Sequence, residues 1–195
     1  MKLTEDFYVR DDVVEISRDL LGKVLCTRIG GKRTSVLITE TEAYVGVTDR
    51  ASHAFGDRRT RRTEPMYAPG GHAYVYLCYG IHHLFNVVTN VEDVPHAVLI
   101  RAGEPLEGLD LMLERRRKER QDKTLLGGPG STAQALGIST QLTGTSLLGD
   151  EIWIEDRGIR IESSTISAGP RVGVDYAGED AELPYRFRVR EIPNV

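Results

Sequence analysis

A chain of 195 residues suits one domain and is long enough to bury a core without metal or disulfide staples. Its 40% hydrophobic and 28% charged residues are ordinary for a soluble globular protein, and no run approaches the roughly 18 apolar residues that a membrane helix needs. A formal net charge of −4, taken as a total, argues against a nucleic-acid partner.

The opening residues, Met1 to Asp6, turn acidic at once and hold no apolar segment of signal-peptide type. The chain is therefore expected to stay where it is made. Asp11 to Leu20 has the apolar rhythm of a helix, and Gly22 suits the region after its C-cap. Lys23 to Ile29 reads as a strand closed by Gly30-Gly31, and Ser35 to Tyr44 as a second. After the turn Pro69-Gly70-Gly71, Ala73 to Tyr79 is a third strand. Gly80 then turns the chain toward strands at Leu84 to Thr89 and Ala97 to Arg101.

Pro105 to Arg120 is the clearest predicted helix, with Pro105 at an early position and Leu106, Leu109 and Leu113 in one apolar stripe. Its run Arg115-Arg116-Arg117-Lys118 is interleaved with Glu107, Asp110, Glu114, Glu119 and Asp122, the pattern of a solvated face. Ser131 is placed to cap a short helix through Leu136, which Gly137 ends. Ile152 to Glu155, Arg171 to Val174 and Tyr185 to Val189 are short strands. The spacings around Gly80 and Asp93-Val94-Pro95 are too short for βαβ crossovers. The predicted fold class is α+β: one domain, mostly an antiparallel curved sheet with an open-barrel-like core, and peripheral helices.

Cys26 and Cys78 sit in apolar, strand-like runs and are expected to be two buried free thiols. No CxxC or HExxH spacing occurs, so no metal site is expected.

Chemistry concentrates in three places. Alternation along the second strand puts Val36, Ile38, Glu40, Glu42 and Tyr44 on one face, and a partly buried carboxylate there could serve as a base. Spacing alone favours the plainer reading, a strand end emerging into water. Tyr67, Tyr74, Tyr76 and Tyr79 cluster around the third strand, where tyrosines can sandwich a planar base or simply pack a core. Tyr79 lies at the hairpin tip, a position from which an aromatic can wedge between base pairs. The loop around His53 carries Arg50, Arg58, Arg59, Arg61 and Arg62 against only Asp57, whereas Asp175, Glu179, Asp180 and Glu182 lie far off in sequence. Local sign matters more for phosphate contact than the total does. A solvated loop explains the arginines equally well.

These segments, in this order, resemble the alkyladenine (3-methyladenine, or methylpurine) DNA glycosylase family. The matching runs include Glu40-Thr41-Glu42-Ala43-Tyr44-Val45-Gly46, Ala51-Ser52-His53, Tyr74-Val75-Tyr76-Leu77-Cys78-Tyr79-Gly80 and Asn86-Val87. They continue with Leu99 to Gly108, Gly128-Pro129-Gly130, Gln134-Ala135-Leu136 and Arg171-Val172-Gly173-Val174, so the similarity spans Leu20 to Val189. The resemblance implies roles. Glu42 would be the general base that activates water, with Arg101 and the backbone carbonyl of Val172 helping to hold that water. Tyr44 would stack on one face of a flipped base, and His53 and Tyr76 on the other. The backbone at Ala51 and His53 would read the purine edge, and Asn86 would clash with the 2-amino group of guanine. Tyr79 would fill the gap left in the duplex, flanked in the minor groove by Ile81 and His82. Ser131 stands where the family often has a lysine; if that lysine steadies a phosphate or a loop, DNA binding is expected to be weaker here.

The implied activity is monofunctional: damaged purines, alkylated or deaminated, are flipped from duplex DNA and released by water, with no cofactor and with the protein acting as a monomer, in the cytoplasm with the nucleoid if bacterial or in the nucleus if eukaryotic. A non-catalytic module binding damaged or single-stranded nucleic acid is the alternative. Glu42 separates the two, because a carboxylate repels a phosphate-rich ligand and gives a pure binder nothing.

Overall fold

In the computed structural model, which describes residues 1–192, a helical turn, α1 (Glu5–Tyr8), leads into a longer helix, α2 (Val13–Asp19). The Asp12 carboxylate accepts hydrogen bonds from the N–H groups of Val14 and Glu15, donors that a helix start otherwise leaves unpaired. Strands β1 (Val24–Ile29) and β2 (Lys32–Tyr44) form a hairpin across Gly30-Gly31. β3 (Ala73–Cys78), β4 (His82–Thr89) and β5 (His96–Glu107) form a meander. Helices α3 (Leu109–Arg116) and α4 (Pro129–Leu136) follow, then β6 (Ile152–Glu155), β7 (Ile166–Gly169) and β8 (Arg186–Val189).

Every pairing is antiparallel. The strand order is β3-β4-β5-β2-β1-β6, and β8, carrying β7, joins β2 beyond the end of β1. The sheet is not closed, and the α+β class expected from the strand spacings is the one observed. Among the described residues no helix is long and apolar enough to cross a membrane.

One sheet face packs on the helices, where Leu25, Val36, Ile38, Val98 and Ile100 meet Ile16, Leu20, Met112, Ala133 and Leu136. Burying each large aliphatic side chain contributes about 1.5–3 kcal/mol. On the opposite face Trp153, Val24, Cys26 and Leu37 form a smaller cluster over one half of the sheet, and a cavity opens over the other half.

β2 changes face part-way along. Val36 and Ile38 enter the helix-covered core, and so do Ala43 and Thr41, whose hydroxyl donates to the Ser17 carbonyl of α2. Ile38 and Thr41 are three residues apart, not an even number. Register slips account for this: Ile38 pairs with Gly103, Glu40 with Ala102 and Thr41 with Ile100. Thr39 on β2 and Arg101 on β5 are thus each an extra residue, a bulge on either strand. Only glycine fits at 103, since a Cβ there would lie 2.6 Å from the Leu37 carbonyl oxygen. Strict alternation would keep Val36, Ile38, Glu40, Glu42 and Tyr44 together. The bulge instead leaves the two aliphatics in the core and turns Glu40, Glu42 and Tyr44 to the other face.

Other expectations are corrected. Pro105 and Leu106 belong to β5, and α3 covers only Leu109–Arg116 of the predicted Pro105–Arg120 helix. Gly108 makes the break: it has φ 78°, and a Cβ there would sit 2.6 Å from the Arg33 carbonyl oxygen. Arg115 and Arg116 are not a solvated face, because they reach the Ala135 carbonyl and the Gln134 side chain and tie α3 to α4. Ser131 lies inside α4, whose N-cap is Gly128. Arg171 to Val174 is a loop rather than a strand, while β7 carried no strong strand pattern and was not predicted. Cys26 is buried, but Cys78 is half-buried on the cavity wall.

Candidate active site

Glu42 is fully buried, and its carboxylate is held by two hydrogen bonds and an ion pair. The Tyr44 hydroxyl donates to Oε2 at 2.8 Å, the backbone N–H of Val172 donates to Oε1 at 2.9 Å, and Arg101 Nη1 lies 3.2 Å from Oε1. A carboxylate has about four acceptor positions, so these donors leave room on Oε2 for one more proton, such as that of a water. The part of Val172 that meets Glu42 is thus its N–H. Burial, reinforced by the negative charge of Glu42, pushes the Tyr44 hydroxyl well above its usual range and keeps it a donor.

Tyr44, Arg101 and Val172 separate Glu42 from a cavity of about 430 Å³, within the usual size of small-molecule sites. Its walls bring together sequence-distant residues: Tyr44, Ala51, His53, Tyr76, Asn86 and Tyr79 all line it, as do Arg101, Val172 and His82. Ile81 stands outside, 71% exposed on the hairpin tip. The Arg171 guanidinium lies 4.8 Å from the Tyr44 ring centroid. On the cavity wall the His53 and Tyr76 rings meet edge to face, 4.6 Å apart at 78°. Asn86 is buried, and its Nδ2 donates to the Tyr74 carbonyl at 3.1 Å, which fixes the side-chain amide.

His53 shares a 2.8 Å hydrogen bond between Nδ1 and the Tyr74 hydroxyl. Burial, with the positive charges of Arg62 and Arg58, pushes its imidazole down to about 4. The ring is therefore neutral at pH 7. A folded-state value below the unfolded one means that the unfolded chain binds the proton first, so stability falls as pH drops from about 6.5 to 4. His53→Gln is expected to lose less Tm than the wild type between pH 7 and pH 5. Equal losses in a thermal melt series would contradict a buried neutral His53.

The loop carrying His53 is clamped by groups that sequence reasoning did not assign. Asp49 accepts from the Ala51 and Val45 N–H groups and forms a buried ion pair with Arg171. The Tyr176 hydroxyl donates to the Ala51 carbonyl at 3.2 Å. The Ala51 N–H and C=O are thus both engaged, and the His53 N–H is the group in this stretch without a protein acceptor among the described residues. Nothing in the local pattern of Asp49 or Tyr176 marks them. Arg171 lies within a run that the family resemblance marks, but the strand expected there gives it no role.

Tyr79 is 90% exposed at the β3–β4 tip with φ 50°. A left-handed conformation costs a side-chain-bearing residue roughly 1–2 kcal/mol, and an aromatic gains nothing from exposure in the free protein. Arg58, Arg61 and Arg62 are exposed, and Arg62 lies over the Tyr76 ring, but Arg59 is committed to Glu64 and Asp93 and is not a spare cation. Among the described residues no cluster of His, Cys, Asp and Glu is placed to hold a metal ion.

The sequence model of the methylpurine-DNA glycosylase family matches residues 6–193. The chain belongs to this family. A relative from Chlamydia abortus is 49% identical, covering 95% of this chain and 96% of its own. One from Clostridium acetobutylicum is 45% identical, covering 97% and 95%. Both carry the name "Putative 3-methyladenine DNA glycosylase". The family and these names support a DNA glycosylase acting on alkylated bases, which is the reading the cavity invites.

Proposed function

We propose that this protein, acting as a single-domain monomer, flips alkylated or deaminated purine nucleotides out of duplex DNA and hydrolyses the base–sugar bond. The observation that carries the reading is a fully buried carboxylate, Glu42, directly behind an aromatic cavity whose rim bears an exposed, strained tyrosine. Tyr79 would occupy the gap in the duplex and offset part of the few kcal/mol that extrusion costs. Ile81 and His82 would follow it into the minor groove.

In the cavity, Tyr44 would cover one face of the purine and His53 with Tyr76 the other. A cationic alkylated base gains a further ~0.5–2 kcal/mol against aromatic faces. The free His53 N–H would read the purine edge, and the fixed amide of Asn86 would exclude the 2-amino group of guanine. The reaction breaks the bond to a sugar carbon that becomes electron-deficient. Ionised Glu42 would take a proton from the attacking water and stabilise that carbon's developing charge, with Arg101 and Val172 keeping the water in line. Among the described residues no lysine lines the cavity, which supports release by water without strand cleavage.

The exposed Arg58, Arg61 and Arg62, and the N-terminus of α4, which lines the cavity and has no side-chain cap, would offer contacts to phosphates. Ser131, in the first turn of α4, adds no charge there. The bacterial relatives fit action on DNA in the cytoplasm.

The test is release of 3-methyladenine, hypoxanthine or 1,N6-ethenoadenine from duplexes carrying one lesion each. Base release with an unbroken strand supports the proposal. Tight lesion binding with no release would replace it with a damage-binding module. Tyr79→Asn is expected to raise Tm by a few degrees as about 1 kcal/mol of backbone strain is relieved. The same variant should lose release from well-paired lesions more than from mismatched ones. Equal release from both would remove the wedge role.

A further inference from the structure

Glu40, the second carboxylate on β2, takes no direct part in the reaction above, yet it is 8% exposed and heavily engaged. Its Oε1 accepts from Arg101 Nε at 2.9 Å and from Arg186 Nε at 2.7 Å, and Arg188 Nε lies 4.0 Å from Oε2. We propose that Glu40 is a positioning residue for base release, holding Arg101 by its Nε so that the terminal nitrogens of the guanidinium stay beside Glu42.

Arg101 sits at the bulge on β5, between the two carboxylates. Its planar fork carries five N–H donors. Glu40 takes the one at Nε, which fixes the plane. Among the described residues neither Nη nitrogen makes an aligned hydrogen bond to a protein acceptor, although Nη1 lies 3.2 Å from Glu42 and Arg101 lines the cavity. Both therefore remain available to water or to the sugar–phosphate of a flipped nucleotide. Without Glu40, the same arginine is free to rotate and pair with Glu42 through two parallel hydrogen bonds, the geometry that arginine and carboxylate favour. That pairing would occupy the acceptor position on which water activation depends. Stability alone does not explain the arrangement, because buried ion pairs are poor stabilisers compared with apolar packing. Arg186 reaches Glu40 from β8 and donates to the same oxygen, Oε1, that accepts from Arg101.

This inference rests on the base-release reading, and the experiment distinguishes the two. Single-turnover release of 3-methyladenine is measured for wild type, Glu40→Ala, Arg101→Ala and the double variant, with lesion-duplex Kd measured alongside. Absence of release by wild type would defeat the base-release reading itself. Given release, Glu40→Ala is expected to lower the rate roughly 10- to 100-fold, the scale of a small misplacement, with Kd changed by less than about threefold. In the Arg101→Ala background the same substitution is expected to cost less than about threefold, because the group it positions is gone. Penalties that multiply, a loss confined to Kd, or a wild-type rate in Glu40→Ala would each overturn the proposal. If Glu40→Ala does not fold, Glu40→Gln, which keeps the shape and the acceptor oxygen, goes through the same cycle. A smaller loss that vanishes without Arg101 supports the proposal, and one that multiplies overturns it.

Discussion

Glu42→Gln is expected to lower single-turnover release of 3-methyladenine by about 10²–10⁴-fold, the usual contribution of a general base. The substitution is suited to isolating chemistry from folding. Glu42 receives hydrogen bonds from Tyr44 and Val172 and gives none, so a glutamine must place its NH₂ toward one of these donors. At the Oε2 position it meets the Tyr44 hydroxyl, which can turn and accept. At the Oε1 position it would face the Val172 N–H, which cannot. The tolerable orientation therefore exists, and Tm should move by only a few degrees. Lesion-duplex Kd should stay within about threefold, since a neutral side chain removes repulsion toward phosphate and leaves the aromatic walls intact. A variant that folds, binds and still releases base near the wild-type rate would place the general base elsewhere.

The largest expected effect on stability is at Asp49. Its carboxylate and the Arg171 guanidinium are both almost wholly removed from water, with side-chain exposures of 2% and 0%. Removing one partner of such a pair leaves a buried charge uncompensated and typically costs 3–5 kcal/mol, so Asp49→Ala should lower stability by about that amount. For a chain of this length each kcal/mol is worth about 2–4 °C, which predicts a drop in Tm of roughly 6–20 °C. Arg171→Met should cost a similar amount. The double variant should cost clearly less than the sum, because no lone charge remains. Some loss will persist: Asp49 also holds the Val45 and Ala51 N–H groups, and Arg171 also reaches the Ala43 and Asp180 carbonyls. Scanning calorimetry of the four proteins checks this, and strictly additive losses would show that the two charges do not depend on each other. Base release should fall in both single variants even below their melting range. The ion pair seats the loop carrying His53 against Tyr44 and Val172, and a small displacement of that loop opens the cavity.

The strands at β1, β3, β4 and β6 were legible because each alternates or runs apolar between turn residues. The site was legible as a list through family resemblance, and the structure brings Glu42, Tyr44, His53, Tyr76, Asn86, Arg101 and Val172 together around one cavity. Composition alone would have pointed the other way, since the net charge is acidic while the exposed arginines near the cavity form a local basic patch.

What the sequence determined by itself is local: the helix α2, the antiparallel hairpins and the ordered motifs that place this chain in its family. These follow from propensities and spacings within a few residues. Tertiary structure decided which way those residues face and what they touch. Alternation could not foresee that an extra residue on each of two neighbouring strands turns Glu40 and Glu42 out of the core, because a bulge is a property of a strand pair. Nor could it foresee that Pro105 continues a strand, or that Asp49 meets Arg171 across 122 positions of chain. A buried charge is tolerated only where the fold delivers its partner, and that partner is set by the packing of distant segments, not by the residues beside it.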